Sequence, residues 1–322
     1  MTPIKPKPLK RGDAISVVVP AGPLNRERID RALSRLHERG FRTKTHGDIY
    51  RARGYLAGDD ATRARELMDA FTDPNTTAMW CARGGYGVAR LLDRIDFHII
   101  HRHPKVFIGF SDITALHVAI HQRTGLITFH GPNLQDGFGK RDDMPAASEA
   151  ALWRALSGEG QRGGSPGYAF DVADVGDIEL RTVRGGTVTA PLTGGNLSVL
   201  VGLMGTPFEV ETAGRILFLE EVDERLYRID RYLAQLRLAG KLQAAAGVLV
   251  GGFSFEQDDD RKESDADLAA LLDEYLGVLK VPVLTGFPAG HVKHNLTLPI
   301  GAVVELDADA RRVAVRENTV AT

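Results

Sequence analysis

Four short apolar segments, three ending in glycine- or proline-bearing loops and one in Ser-Asp, are separated by helical patterns, and this rhythm limits what the chain can fold into. They are AISVVVPAG (14–22), TAMWCARGGYG (77–87), KVFIGFSD (105–112) and LITFHGPN (126–133). Runs this apolar match strands covered on both faces. Between them, residues 25–39 place Ile29, Leu33 and Leu36 at helical spacing before Gly40, and residues 59–71 start on aspartates that suit a helix start. FRTKTHG predicts a short strand, and VARLLDRID and ITALHVAIHQRTG predict helices. Strands alternating with helices predict a parallel sheet with helices on both faces.

Residues 137–182 change character, being rich in Gly, Ser and charge, with one helical stretch around Ala147–Leu156. After them RILFLEEV (215–222), AAAGVLVGGF (244–253) and VPVLTGFPAGH (281–291) predict strands, and TVRGGTVTAPLTGGN predicts turn-rich β structure. RIDRYLAQLRLAG and ADLAALLDEYLG predict helices, and LTLPIGAVVELDADARRVAVREN a closing hairpin. A length of 322 residues fits two domains at about 100–200 residues each. The expected division is 1–140 for a parallel-sheet α/β domain, 141–182 for a linker or lid, and 183–322 for a second, mixed α/β domain. No internal repeat is visible.

Composition excludes several classes. Forty basic against 42 acidic residues leave no charged tail, so neither nucleic acid nor a membrane surface is an expected partner. Cys81 is the single cysteine, which rules out an intrachain disulfide and a cysteine-based zinc cluster. No signal-like segment precedes the first strand, and the expected location is the cytoplasm.

In an open parallel sheet, ligands bind beyond the carboxyl ends of the strands. Three loops fall there: ARGGYG (82–87), FSD (110–112) and HGPN (130–133). Ser111 stands where a strand becomes a helix, for which a helix N-cap is the simpler reading and a nucleophile whose oxyanion meets backbone N–H groups the alternative. Glycines at 84 and 85 would let backbone approach a substrate. A serine nucleophile needs a base and an orienting acid. Of ten histidines, His98, His101 and His103 cluster between elements, where a solvated turn is the simpler reading than a metal site, and His117 and His121 share a helix face that suits packing. His291 and His294 lie in FPAGHVKHN, a loop after an apolar strand. Glu220 and Glu221 end another strand, so one faces each way. Trp80 and Trp153 read as packing residues.

Several stretches together resemble the serine peptidases of the L,D-carboxypeptidase family, the group that includes the microcin C immunity peptidases. They are VVVPAGP (17–23), ARGGYGVARLLD (82–93), KVFIGFSDITALH (105–117), HGPN (130–133), TGGNLSVL (193–200), LFLEEVDERLYRIDR (217–231), GVLVGGF (247–253) and GFPAGHVKHNLTLPIG (286–301). The resemblance spans almost the whole chain in order. It implies a flavodoxin-like N-terminal α/β domain, a mixed C-terminal domain and an active site in the cleft between them. It implies a Ser-Glu-His triad of Ser111, Glu220 and His291, with Glu221 and His294 less suited to those roles. Oxyanion donors would be the backbone N–H groups of Gly85 and Asp112. Arg83, Gly84, Gly195 and Asn196, the last two in the Thr193–Asn196 turn, are the expected substrate contacts. No metal or organic cofactor is called for. The implied substrate is a small peptide, a cytoplasmic muropeptide losing its terminal D-alanine; an aminoacyl-nucleotide antibiotic is the alternative, and a non-enzymatic binding protein the more distant one. A homodimer is implied as well.

Overall fold

The computed structural model describes residues 2–158, 166–170, 172, 175, 179–255 and 264–322. The chain divides into two compact units, Met1–Ser165 with Thr297–Gly301 and Asn318–Thr322, and Pro166–Leu296 with Ala302–Glu317.

The first unit opens with β1 (Ala14–Val18), α1 (Arg26–Glu38), β2 (Arg42–Thr45), α2 (Asp60–Thr72) and β3 (Ala78–Cys81). It continues with α3 (Phe97–Arg102), β4 (Val106–Gly109), α4 (Thr114–Thr124), β5 (Thr128–His130) and α5 (Ala146–Ser157). The five strands are parallel in the order 2-1-3-4-5. That is the flavodoxin-like doubly wound order, whose direction reverses between β1 and β3. Right-handed crossovers then put α1 on one face and α2, α3 and α4 on the other. Asn25 caps α1 by accepting the Arg28 N–H at 3.0 Å, and Ile29, Ala32 and Leu36 form its buried stripe. Asp59 caps α2 in the same way through Thr62. Helix α4 has almost no polar face, because it is buried nearly all round, and it stops at Gly125 with φ 80.

Residues 141–182, expected as a linker or lid, carry α5. Leu152, Ala155 and Leu156 of this helix are buried, Trp153 stacks on Phe41 at 5.1 Å, and Glu149 pairs with Arg39 just beyond α1. Its apolar stripe therefore works as core of the first unit. The parts of the expected lid at 159–165, 171, 173–174 and 176–178 lie outside the described residues.

The second unit contains β6 (Tyr168–Ala169), β7 (Arg181–Arg184), β8 (Thr187–Asn196), α6 (Leu197–Gly202), β9 (Ile216–Glu221), α7 (Leu226–Leu238), α8 (Lys241–Ala244), β10 (Gly247–Phe253), α9 (Asp265–Leu276) and β11 (Val283–Thr285). The chain next returns to the first unit: β12 (Leu298–Ile300) lies antiparallel beside β5, with Leu298 opposite His130. Pro299 is tolerated because β12 is an edge strand. The hairpin β13 (Val303–Asp307) and β14 (Arg312–Val315) then rejoins the second unit. Its sheet runs β6-β14-β13-β8-β9-β10-β11-β7, with β8 to β11 parallel and the outer strands antiparallel.

Candidate active site

In the first unit the carboxyl ends of β1, β3, β4 and β5 share one rim. Strand β4 ends at Gly109, and Phe110 is held extended, its N–H donating to Asn133 Oδ1 at 3.2 Å. Ser111 follows with φ 68, a left-handed conformation that costs a non-glycine residue about 1–2 kcal/mol. It begins a short 3-10 turn, Ser111–Ile113, that runs into α4. A serine acting only as a cap would sit in ordinary extended geometry. The strained turn instead lifts the side chain at a sharp strand-to-helix junction, and strain of this kind clusters at functional sites.

The glycine loop lies against this serine. A Cβ on Gly84 would come 2.8 Å from Ser111 Cβ and 3.0 Å from its Oγ, so only glycine fits. Gly85 has φ 107, and the Gly84 carbonyl accepts the Gly22 N–H at 3.0 Å, joining this loop to the one after β1. The buried carboxyl of Asp112 accepts the Val88 N–H at 2.9 Å, and burial pushes it up to about 6 against the opposing effects of that bond and Arg63. Its backbone N–H is in the first turn of a helix, where no intrahelical acceptor exists. Arg83 donates from Nη1 to Pro23 O at 2.5 Å, so it too joins the two loops.

His117 and His101, also in this unit, have structural partners. His117 is fully buried between Thr128 Oγ1 and Gly109 O, at 2.9 and 2.8 Å, and burial lowers it to about 4. His101 Nδ1 lies 3.1 Å from Thr124 O. Among the described residues no group of His, Cys, Asp and Glu is placed to hold a metal ion. Trp80 is buried and donates to Pro132 O, a packing role.

In the second unit β8 to β11 likewise bring their carboxyl ends to one rim. Glu220, at the end of β9, is fully buried, and its Oε2 accepts from His291 Nδ1 at 2.7 Å and from the His291 N–H at 3.3 Å. The imidazole retains 19% of its side-chain exposure, so the ring has one edge on the acid and part of its surface open. Gly290 makes this possible: it has φ 102, and a Cβ there would meet Glu220 Oε2 at 2.6 Å. Asn295 Oδ1 accepts the Gly290 N–H at 3.0 Å and fastens the loop. His294 is elsewhere; its Nδ1 is buried without a hydrogen-bond partner among the described residues.

Glu221 faces the other way, as alternation along a strand requires. It accepts from Asn196 Nδ2, Ser198 N–H and Val222 N–H at 2.8, 2.7 and 2.9 Å, and burial nevertheless raises its pKa. Asn196 in turn caps α6, with Oδ1 accepting from Val199 N–H and Ser198 Oγ. The amide expected to meet substrate is therefore bonded within the unit at both ends, and Gly195, with φ 145, offers backbone alone beside it. A cavity of about 480 Å³ opens on the same rim, past β10 and β11; Phe253, Leu268, Leu272, Phe287 and Val292 line it together with Arg181.

Sequence models of the LD-carboxypeptidase N-terminal domain match residues 15–131, and those of the C-terminal domain match residues 189–306. The chain belongs to the LD-carboxypeptidase family. Its members are serine carboxypeptidases of peptidase family S66. A probable murein peptide carboxypeptidase of Bacillus subtilis (strain 168) is 39% identical over 313 residues, 97% of this chain and 94% of the relative. The solved structure of MccF in complex with glutamyl sulfamoyl guanosine matches with a TM-score of 0.88 at 25% identity, over 99% of this chain and all of the other. The muramoyltetrapeptide carboxypeptidase of Oxalobacter formigenes matches with a TM-score of 0.77 at 30% identity, over 94% and 97% of the two chains. The two-domain α/β fold of this LD-carboxypeptidase is thus that of both kinds of relative.

Arg63 escaped the sequence reading, although its guanidinium touches the glycine loop. Nothing in DDATRARELMDAF separates it from the surface arginines of an amphipathic helix.

Proposed function

We propose that this LD-carboxypeptidase releases the terminal D-alanine from a murein tetrapeptide, with Ser111 as nucleophile, His291 as base and Glu220 as the acid that orients it. The observation that carries the reading is the Glu220–His291 contact: a fully buried carboxylate holds one ring nitrogen at 2.7 Å and leaves the imidazole partly exposed. With Nδ1 donating to the carboxylate, Nε2 is the lone-pair nitrogen, the tautomer that a general base needs.

His291 Nε2 takes the hydroxyl proton as Ser111 Oγ bonds to the scissile carbonyl carbon. The Gly85 and Asp112 N–H groups hold the resulting oxyanion, and Glu220 stabilises the imidazolium. The imidazolium then gives its proton to the departing amine, the C–N bond breaks and D-alanine leaves. Water, deprotonated by His291, attacks the acyl-enzyme and frees Ser111. Arg83, Gly84 and Gly195 contribute substrate contacts, and the Asn196 side chain shapes the Gly195 turn. Supporting the substrate class is the 39% identity to the Bacillus murein peptide carboxypeptidase across nearly the whole chain. We take the reaction to be cytoplasmic, on recycled wall peptides, and the working form to be a homodimer; fractionation and sedimentation test these two points.

The likeness to MccF with a bound aminoacyl sulfamoyl nucleoside favours a second substrate, an aminoacyl-nucleotide antibiotic, cleaved by the same residues. Mass spectrometry of L-Ala-γ-D-Glu-meso-diaminopimelate-D-Ala incubated with wild type and with Ser111→Ala separates the readings. Loss of one alanine with wild type alone is the expected result. An intact peptide in both, with tight binding of an aminoacyl sulfamoyl adenosine, would move the assignment to the second substrate. Absence of both, with no Ser111-dependent fluorophosphonate labelling, would favour a binding protein.

A further inference from the structure

Among the described residues, Arg63 is the one arginine in the group of largest fully buried side chains. It projects from α2, in the interior of the helix, and its side chain has no exposure at all. Burying a guanidinium is costly unless its donors are met, and a hydrocarbon side chain of similar volume would fill such a space more cheaply. Its Nε is buried without a hydrogen-bond partner among the described residues, so what the two Nη groups touch must explain the charge. Nη1 donates to Pro20 O in the loop after β1 and to Gly87 O, at 3.0 Å, at the far end of the glycine loop. Nη2 donates to Asp60 Oδ1 at 2.6 Å, and Arg90 holds the same carboxylate from the other side. A Cβ on Gly87 would meet Arg63 Nη1 at 2.8 Å, so this glycine admits the guanidinium.

Besides the Arg83–Pro23 bond, the loop is fastened at three points around Gly85. Gly84 O accepts from Gly22, Gly87 O accepts from Arg63, and the Val88 N–H donates to Asp112. Of these, Arg63 is the one that reaches both the glycine loop and the loop after β1 from a helix outside them. We propose that Arg63 is a positioning residue for catalysis: its buried guanidinium ties the loop after β1 to the glycine loop and so sets where the Gly85 N–H meets the oxyanion. This inference rests on the reading of Ser111 as nucleophile and Gly85 as oxyanion donor. Arg63 touches no reacting atom. It acts on a donor whose bond strengthens in the transition state, so its loss lowers kcat and leaves KM nearly alone.

The test compares wild type, Ser111→Ala, Arg63→Met, Arg63→Lys and Arg63→Ala. Each is assayed for tetrapeptide turnover and for Ser111 acylation by a p-nitrophenyl ester, beside circular dichroism and thermal unfolding. Displacing an oxyanion donor by about an ångström costs on the order of 10²-fold. Arg63→Met, which is volume-conserving, is expected to lower kcat and the acylation rate by about 10–100-fold, with KM within about twofold. Arg63→Lys, able to reach one carbonyl at a time, is expected to fall between. Millimolar guanidinium is expected to restore rate to folded Arg63→Ala, whose cavity admits it, and not to Arg63→Met. A folded Arg63→Met with kcat and acylation within twofold of wild type overturns the inference while Ser111→Ala remains inactive. Equal acylation of wild type and Ser111→Ala overturns the nucleophile reading, and the inference with it.

Discussion

Ser111 and Asp112 are adjacent and carry different costs, one of backbone conformation and one of burial. The serine is in a left-handed conformation, with φ 68, where glycine is at home. Ser111→Gly removes the nucleophile and the steric penalty together. We expect an inactive protein whose stability equals or exceeds wild type by up to about 1 kcal/mol; a clear loss in chemical denaturation would argue against strain at this turn. The Asp112 carboxyl holds its proton up to about pH 6 in the folded state, against about 3.9 unfolded. Between those values the native state binds a proton that the unfolded state has lost, so stability falls as pH rises from about 4 to 6 and stays lower above. Asp112→Asn keeps an acceptor for the Val88 N–H and removes that penalty. It is expected to gain about 1–2 kcal/mol at pH 7 and nothing at pH 4. Denaturation curves at both pH values check this, and parallel pH slopes for the two proteins would contradict it. Glu220 and Glu221 make the third residue-scale contrast. Glu220→Gln is expected to cost on the order of 10³–10⁴ in kcat with little change in stability, because it removes the charge that orients His291. Glu221→Gln puts an amide against N–H donors and is expected to cost about 1–3 kcal/mol of stability with kcat within about tenfold. The opposite pattern would exchange their roles.

At the scale of elements, the candidate chemistry depends on how loops leave their strands. The loop after β11 rides so close over the end of β9 that Gly290 has no room for a methyl group. Gly290→Ala must move either the loop or Glu220, and its φ of 102 adds strain whatever the space. We expect at least a tenfold loss of kcat and about 1–3 kcal/mol of stability, read from kinetics and thermal unfolding. Unchanged kinetics in a folded variant would detach this loop from the reaction. Helix α4 carries the same lesson for packing. It follows the nucleophile turn directly, and its burial on nearly every side gives that turn a rigid support.

At the scale of the whole molecule, neither unit is a continuous stretch of chain. The first unit takes its sixth strand from Leu298–Ile300 and its last contacts from the C-terminus, where Thr319 Oγ1 donates to Ala155 O and the Ala321 N–H to Pro6 O. A fragment ending at residue 165 lacks both, and its β5 becomes an exposed edge. We expect that fragment to unfold without a cooperative transition or to aggregate, whereas the full chain unfolds cooperatively. A fragment with a sharp thermal transition would contradict this.

Much of this was legible in the residues. The apolar strands, their order along the chain and the loops at their carboxyl ends follow from local pattern, since a strand covered on both faces must be continuously apolar and a turn must carry glycine or a polar residue. Local pattern likewise made Ser111, the His291–His294 loop and the Glu220–Glu221 pair stand out, and the family resemblance pointed to His291 and Glu220 within them. Tertiary structure decided the rest, because those facts depend on residues far apart in sequence. It decided which glutamate meets His291, 71 residues away. It made α5 core, through Trp153 on Phe41, and sent β12 back to the first sheet. It buried Arg63, whose role comes from two carbonyls, 43 and 24 residues distant, that no pattern within a helix can announce.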